Sequence, residues 1–449
     1  MLSCIHPWMQ MTDTLQRHIG LGGAVFTLVG YVIGASIFVL PGQLSAQVGP
    51  GLVLSYAVAG GLAVLACLAS AHLGGQFPVS GAIYVAIGKA IGPRAAFISM
   101  WLLLLAVGVG IPLVAYGMVD YLAYFWPGVP RVLTAVAIVL FFGVINLFPV
   151  RQAVLAQTVM TVALLVIIYA FGGAAIPHIE WSRFSPLLPN GVGAMLLAAV
   201  AAYFSFLGFM VIADIAEEIK DPDRTIPRAL ILSFAIVAVA YVLIAVAVPG
   251  LLDWRTLGTV PAPVASAAET FLSPAAANFI AVAAILAAAT SVHGILLVHS
   301  RDVFALARDS VFPESVARLS GGGIPARAVV LLTALGVLGT LLGRTIFDYA
   351  VLSALSIMLI QAMAGYSLLR LPVNPARFGL GERTRKVVGI GFILTSTLFG
   401  VLGAAQRPGL ALAFAGVTGL GFLYYGVRGR VLARRGLNLD HLITGRHAL

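Results

Sequence analysis

The chain has 449 residues, of which 61% are hydrophobic and only 9% charged, and its mean hydropathy is +1.05. A soluble protein of this length needs a charged surface that this chain does not have, so the bilayer must be the solvent for most of it. The net charge of +10 is dispersed along the sequence, whereas a nucleic-acid-binding protein would gather it on one domain.

Residues 1–20 form an N-terminal segment without the apolar core of a signal peptide. Twelve apolar runs follow, near 21–47, 51–75, 94–124, 131–148, 152–175, 191–216, 227–250, 275–305, 327–343, 346–370, 387–406 and 408–427. About 20 residues of helix cross the hydrocarbon core, and helices are required because lipid cannot satisfy exposed backbone groups. The alternating short segments of a β-barrel are missing from the pattern. The expected fold class is therefore an all-α integral membrane protein with 12 transmembrane helices. A basic tail, 428–449, ends the chain. With both termini placed in the cytoplasm, only Arg131, Arg183, Arg255, Arg344 and Arg407 of the 26 Lys and Arg residues fall outside, which predicts that orientation in a cell membrane. Cys4 and Cys67 suggest no disulfide framework, and no soluble domain fits in the loops.

The first run contains "GYVIGASIFVLPG", Gly30 to Gly42, where glycine and proline interrupt an apolar stretch. Two readings fit: close helix packing through small residues, or a discontinuous helix whose freed amides and carbonyls bind a ligand. A second interruption, "YFSFLGFMVIADIAEE" at 203–218, puts Ser205 and Gly208 near the middle of the sixth run. Interrupted helices at matching places in two halves point to a transport site at the bilayer midplane.

Four stretches then carry a resemblance: "IGASIFVLPG", "FPVSGAIYVAIGKAIGPRAAFISMW", "FSFLGFMVIADIAEEIKDPDRTIPRAL" and "SRDVFALARDSVFPESVARLSGGGIPARAVVL". In this order the chain resembles an amino acid permease of the amino acid–polyamine–organocation (APC) superfamily. The resemblance implies a five-plus-five inverted repeat, 21–175 and 191–370, with discontinuous helices 1 and 6, followed by two further helices in 387–427. It implies that a substrate carboxylate meets the backbone N–H groups of Ala35 and Ser36, and that the ammonium meets carbonyls of Val32, Phe204 and Leu207. The opposed partial charges of half-helix ends suit a zwitterion. Ile33, Gly34, Ser205 and Gly208 complete the expected substrate-binding set, with Gly34 allowing the chain to turn. Phe204 is either a gate over the site or an ordinary lipid- or core-facing aromatic.

Ionisable groups inside a membrane are functional candidates. Asp214 lies in the inner half of the sixth span, and Glu217 and Glu218 follow it near the interface; an inner gate or proton coupling would suit Asp214. His293 lies near the middle of the eighth span, one turn after Thr290 and Ser291. A histidine suits a proton and a hydroxyl pair suits sodium, but His293 could equally join helices through a hydrogen bond. His299 and Asp120, closer to their span ends, read as packing or interfacial groups. The fifth span lacks the lysine that some proton-coupled members carry, leaving proton or sodium open. Met210 stands where many members have an acid after "GF", which either favours an apolar substrate side chain or is a matter of packing alone.

The expected function is secondary active transport of amino acids, neutral or apolar, by alternating access, as uptake or exchange. The alternative is a transport-inactive amino acid sensor of the same fold. A channel would need a continuous polar pore. An enzyme would show a metal-ligand cluster or a nucleophile elbow, and no cofactor is expected.

Overall fold

The computed structural model describes residues 17–445, apart from 35, 80, 149, 214, 261, 321, 322 and 407. Ala35 and Asp214 lie outside the described residues, as does the side chain of Phe204. The regular elements among the described residues are helical, joined by two isolated β-bridges, Ile19 with Ile219 and Ser320 with Ile324.

The first apolar run is two helices, α1 (Leu21–Ile33) and α2 (Ser36–Val48), because Gly34 takes the left-handed φ of +47° and ends α1. Helix α3 (Leu52–Gln76) leads to the short α4 (Ala82–Ala90), which starts after Gly81 at φ +71°. Pro93, at a position where a missing N–H costs nothing, opens the 33-residue α5 (Pro93–Phe125). Then come α6 (Arg131–Ile145) and α7 (Val150–Ala175). The sixth run is interrupted as well: α8 (Gly191–Phe204) stops at Ser205 and continues only as 3₁₀ turns, Leu207–Ala213 and Ala216–Glu218. Helix α9 (Pro222–Leu251) is followed by two short loop helices, α10 (Trp254–Leu257) and α11 (Pro263–Glu269). The 35-residue α12 (Pro274–Arg308) is alanine-rich and is N-capped by Ser273, whose hydroxyl accepts from the Ala276 amide. Five helices complete the chain: α13 (Ala326–Leu341), α14 (Ile346–Arg370), α15 (Glu382–Gln406), α16 (Pro408–Ala433) and α17 (Leu439–Gly445).

Among the described residues, nine helical stretches are long and apolar enough to cross a membrane, and three shorter apolar helices, α1, α6 and α13, join them. Helix α12 is central: 83% of its apolar stretch is buried inside the protein, against 11% for α16. Outward leucines such as Leu394 and Leu412 leave an apolar surface that suits lipid.

Between helices in lipid, close approach replaces the hydrophobic drive. At the crossing of α5 and α13, a β-carbon on Gly339 would fall 2.2 Å from the Gly108 carbonyl oxygen. At the crossing of α14 and α15, one on Gly365 would fall 2.9 Å from the Gly389 oxygen. Buried side chains also fasten peripheral segments: His72 accepts from the Leu380 amide through Nδ1 (3.0 Å), and Gln76 binds the Asn374 amide and the Phe378 carbonyl.

The crossing makes a stability prediction. Gly339→Ala should cost about 1–3 kcal/mol through overpacking and lower the apparent melting temperature. Gly419→Ala on α16, where an added methyl meets open space, should leave it nearly unchanged. Thermal denaturation of both detergent-purified variants checks the difference.

Candidate functional site

Ending a helix in the middle of a membrane leaves carbonyls that water cannot reach. In α1 they are met by hydroxyls from three other places. Ser291 of α12 places Oγ 3.3 Å from both the Gly30 and the Tyr31 oxygens. Ser36, the first residue of α2, reaches back to the Ile33 carbonyl at 3.1 Å. Tyr241 of α9 lies with its hydroxyl 3.2 Å from the Val32 oxygen and 3.5 Å from that of Ile33. The same hydroxyl is 2.9 Å from the Ser205 carbonyl, where α8 stops. One buried tyrosine therefore touches both helix breaks.

The breaks are close neighbours. A β-carbon on Gly208 would lie 2.5 Å from Tyr31 Cδ1 and 2.9 Å from Val32 Cγ2, so α1 and the second half of the sixth run meet only because residue 208 is glycine. A β-carbon on Gly34 would lie 2.7 Å from Ser291 Oγ. Beside these contacts lies a cavity of about 320 Å³, at the small end of the roughly 300–1,000 Å³ range of small-molecule sites. Of the sequence-predicted residues, Val32, Gly34, Ser36, Ser205, Leu207, Gly208 and Ser291 line it. Its other walls include Met100, Leu103, Val107, Met210 and Ile295, and no Asp, Glu, Lys or Arg is among the described residues that line it.

Three predicted residues sit elsewhere. Ile33 is buried behind the wall, and Thr290 returns its hydroxyl to the Ala287 carbonyl of its own helix (2.8 Å). His293 is fully buried with Nδ1 2.9 Å from Asn146 Nδ2 beside α6, the helix-joining arrangement. The same Asn146 amide donates to the Phe142 carbonyl of α6 at 2.8 Å. His299 does line the cavity: its Nε2 is 2.9 Å from the Tyr31 hydroxyl and its Nδ1 is 2.8 Å from Asp302 Oδ2. Sequence reasoning passed over Tyr31, Tyr241 and Asp302. A signal for His299 existed, since Ser291, Ile295 and His299 recur every four residues along one helix face. Opposite Gly30, the fifth run supplies Gln157 and Thr161, whose side-chain atoms would lie 2.4 and 2.2 Å from a β-carbon there.

The Arg308 end of α12 is tied to the end of the sixth run. Buried Arg301 donates to Glu218 at 2.6 Å, and Arg308 donates to Glu217 at 3.1 Å. Beside them the Ile19 amide donates to the Glu218 carbonyl, and the Lys220 amide to that of Ile19.

A sequence model described as amino acid permease matches residues 19–421. The chain is 26% identical over 326 residues to a branched-chain amino acid permease of Bacillus subtilis, covering 68% of this chain and 70% of that one. It is 30% identical over 437 residues to an uncharacterised transporter of Mycobacterium tuberculosis, covering 95% and 94%. It is 28% identical over 310 residues to a methylthioribose transporter of Bacillus subtilis, covering 65% and 67%. The chain belongs to the amino acid permease family of the APC superfamily, whose members are multi-pass membrane transporters and not enzymes.

Gly34 offers a direct test. Gly34→Val must place a β-branched side chain at φ +47° and against Ser291. The purified variant should remain monodisperse but lose the thermal stabilisation that an amino acid ligand gives the wild type. Unchanged stabilisation would make the break a packing feature only.

Proposed function

We propose that this permease is a secondary transporter that carries neutral, apolar amino acids by alternating access. The observation that carries the reading is the meeting of two helix breaks at a small cavity whose described walls are mostly apolar and hold no Asp, Glu, Lys or Arg. The N-terminal end of α2 at Ser36 offers partial positive charge to a carboxylate, through the amides of Ala35 and Ser36. The C-terminal ends of α1 and α8 offer carbonyls to an ammonium, those of Val32 and Phe204, with Leu207 beside them. Tyr241 uses one lone pair of the Val32 oxygen, and a carbonyl has two. Phe204, the last residue of α8, is the proposed gate. The substrate side chain would then rest among Met100, Met210 and Ile295, which disfavours a cationic one. The name of the branched-chain relative agrees with that preference.

Alternating access asks for ties that close one side at a time. The Arg301–Glu218 and Arg308–Glu217 pairs suit an inner closure. Asp214, outside the described residues, is retained as a gating candidate on its place in the sequence. The twelve-span, five-plus-five architecture is part of this proposal. It is supported by helices at all twelve apolar runs and by breaks in the first and sixth. The coupling ion is a proton or sodium; for sodium, Ser291 and Thr290 are the candidate ligands.

Radiolabelled leucine in proteoliposomes tests the substrate and the mechanism together. Counterflow of leucine is expected, with little for lysine; binding without counterflow would favour the sensor reading, and lysine preferred over leucine would overturn the substrate class. The orientation in a cell membrane has its own check. A reporter fused after Arg327 should read cytoplasmic and one after Trp254 external, and the reverse would overturn cytoplasmic termini.

A further inference from the structure

Asp302 is buried in α12, and its carboxylate has one hydrogen-bonding partner among the described residues, His299, on Oδ2; Oδ1 has none. The neighbouring Arg301 does not supply a hydrogen bond to it. Its guanidinium is turned to Glu218, to the Leu297 carbonyl and to Ser300 Oγ. With Arg301 and Glu218 balancing each other, a neutral His299 beside an ionised Asp302 leaves one net negative charge buried. One added proton removes it, and a buried site strongly favours that neutral total.

We propose that His299 and Asp302 form a proton-binding site that couples the substrate cavity to a pH gradient, with Tyr31 as its link to the first helix break. This inference rests on the transport reading above. His299 lines the cavity, so a proton can arrive from the compartment to which the cavity is open. Nδ1–H donates to Asp302 in both states. In the unloaded state Nε2 holds a lone pair and accepts from the Tyr31 hydroxyl. When Nε2 takes up a proton it becomes a donor, and the bond to Tyr31 reverses. The Tyr31 hydrogen must then turn to another acceptor.

Tyr31 is placed to transmit that reversal. Its ring fits between two glycines: a β-carbon on Gly208 would lie 2.5 Å from it and one on Gly294 3.2 Å. Its own carbonyl accepts from Ser291, three residues before the bend at Gly34. Proton load on His299 thus bears on the contact between α1, the sixth run and α12, the place where the substrate is proposed to sit. Near the pair stand Arg301 and Glu218, and Tyr84 of α4, which shares the cavity wall and faces Asp309. From α5 the cavity wall presents Ser99, Met100 and Leu103, and from α7 Gln157 lies near Gly294, none of them titratable. The site is eight residues from Ser291, roughly 12 Å along the helix, and so is separate from the hydroxyl pair considered for sodium.

Two measurements on the full-length protein test it. In sodium-free proteoliposomes with an alkaline interior, the wild type should accumulate leucine. His299→Gln should reduce that accumulation by a factor of about 5 to 150, the usual span of coupling between two sites, and its counterflow should lose pH dependence between about pH 5 and pH 8. Accumulation in His299→Gln equal to the wild type, or wild-type accumulation driven only by sodium, would overturn the proposal. The second measurement needs no substrate. Infrared difference spectra of the purified protein across the same pH range should contain an imidazole signal that His299→Gln removes and Asp302→Asn displaces. Tyr31→Phe, which deletes one oxygen and keeps the ring between the glycines, should shift its midpoint. Should leucine not be carried while these signals persist, the substrate reading falls and the proton site stands; absence of a titrating signal assignable to His299 overturns the site itself.

Discussion

A helix that stops in the middle of a membrane must find partners for its last carbonyls inside the protein, and here the hydroxyl of Tyr241 is the partner shared by two such ends. It lies 2.9 Å from the Ser205 carbonyl and 3.2 Å from that of Val32. A single hydroxyl has one hydrogen, so it cannot satisfy both fully at once; Ser36 and Ser291 supply the remaining donors to α1. The result is a set of carbonyls held in place with lone pairs to spare. In a soluble protein water would do this work, and the breaks would need no dedicated side chains.

Glycine serves this arrangement in two separate ways. At Gly34 the requirement is conformational, because φ is +47°. At Gly208 and Gly294 it is spatial, because the Tyr31 ring occupies the room a side chain would need. The ring in turn leads to His299 and Asp302, so the closeness of three chain segments depends on two absent side chains and one aromatic. Gly294, inside α12, weakens that helix by about 1 kcal/mol relative to alanine, which packing around Tyr31 must offset.

Periodicity and interruption made much of the fold legible. Long apolar runs place the helices to within a few residues, and the interruptions at Gly34 and at Ser205 to Gly208 mark where α1 and α8 end. Seven of the residues drawn from those interruptions and from the eighth span do line one cavity. Rotation about a helix axis was harder to read. His293 and His299 are six residues apart, so at about 100° per residue their side chains point some 120° apart. One faces Asn146 of the chain following α6, the other the cavity. Depth in the membrane favoured His293, but facing decides access. Tyr241 and Tyr31 were out of reach for a different reason: each acts on groups far away in sequence, 36 residues for Tyr241 to Ser205 and 268 for Tyr31 to His299.

Adjacent charged residues at 301 and 302 divide into two kinds of pairing. Arg301 and Glu218 meet at 2.6 Å and balance whole charges, so the pair serves as a mechanical tie. Asp302 meets an imidazole instead, and that pair is electrically balanced only when it carries one more proton. The first pairing stays intact until the helices that bear it separate. The second, on the proposal made above, also changes by taking up a proton. On α12 the two pairings are neighbours, so the contact of His299 with Tyr31 of the first helix lies next to the tie between Arg301 and the end of the sixth run.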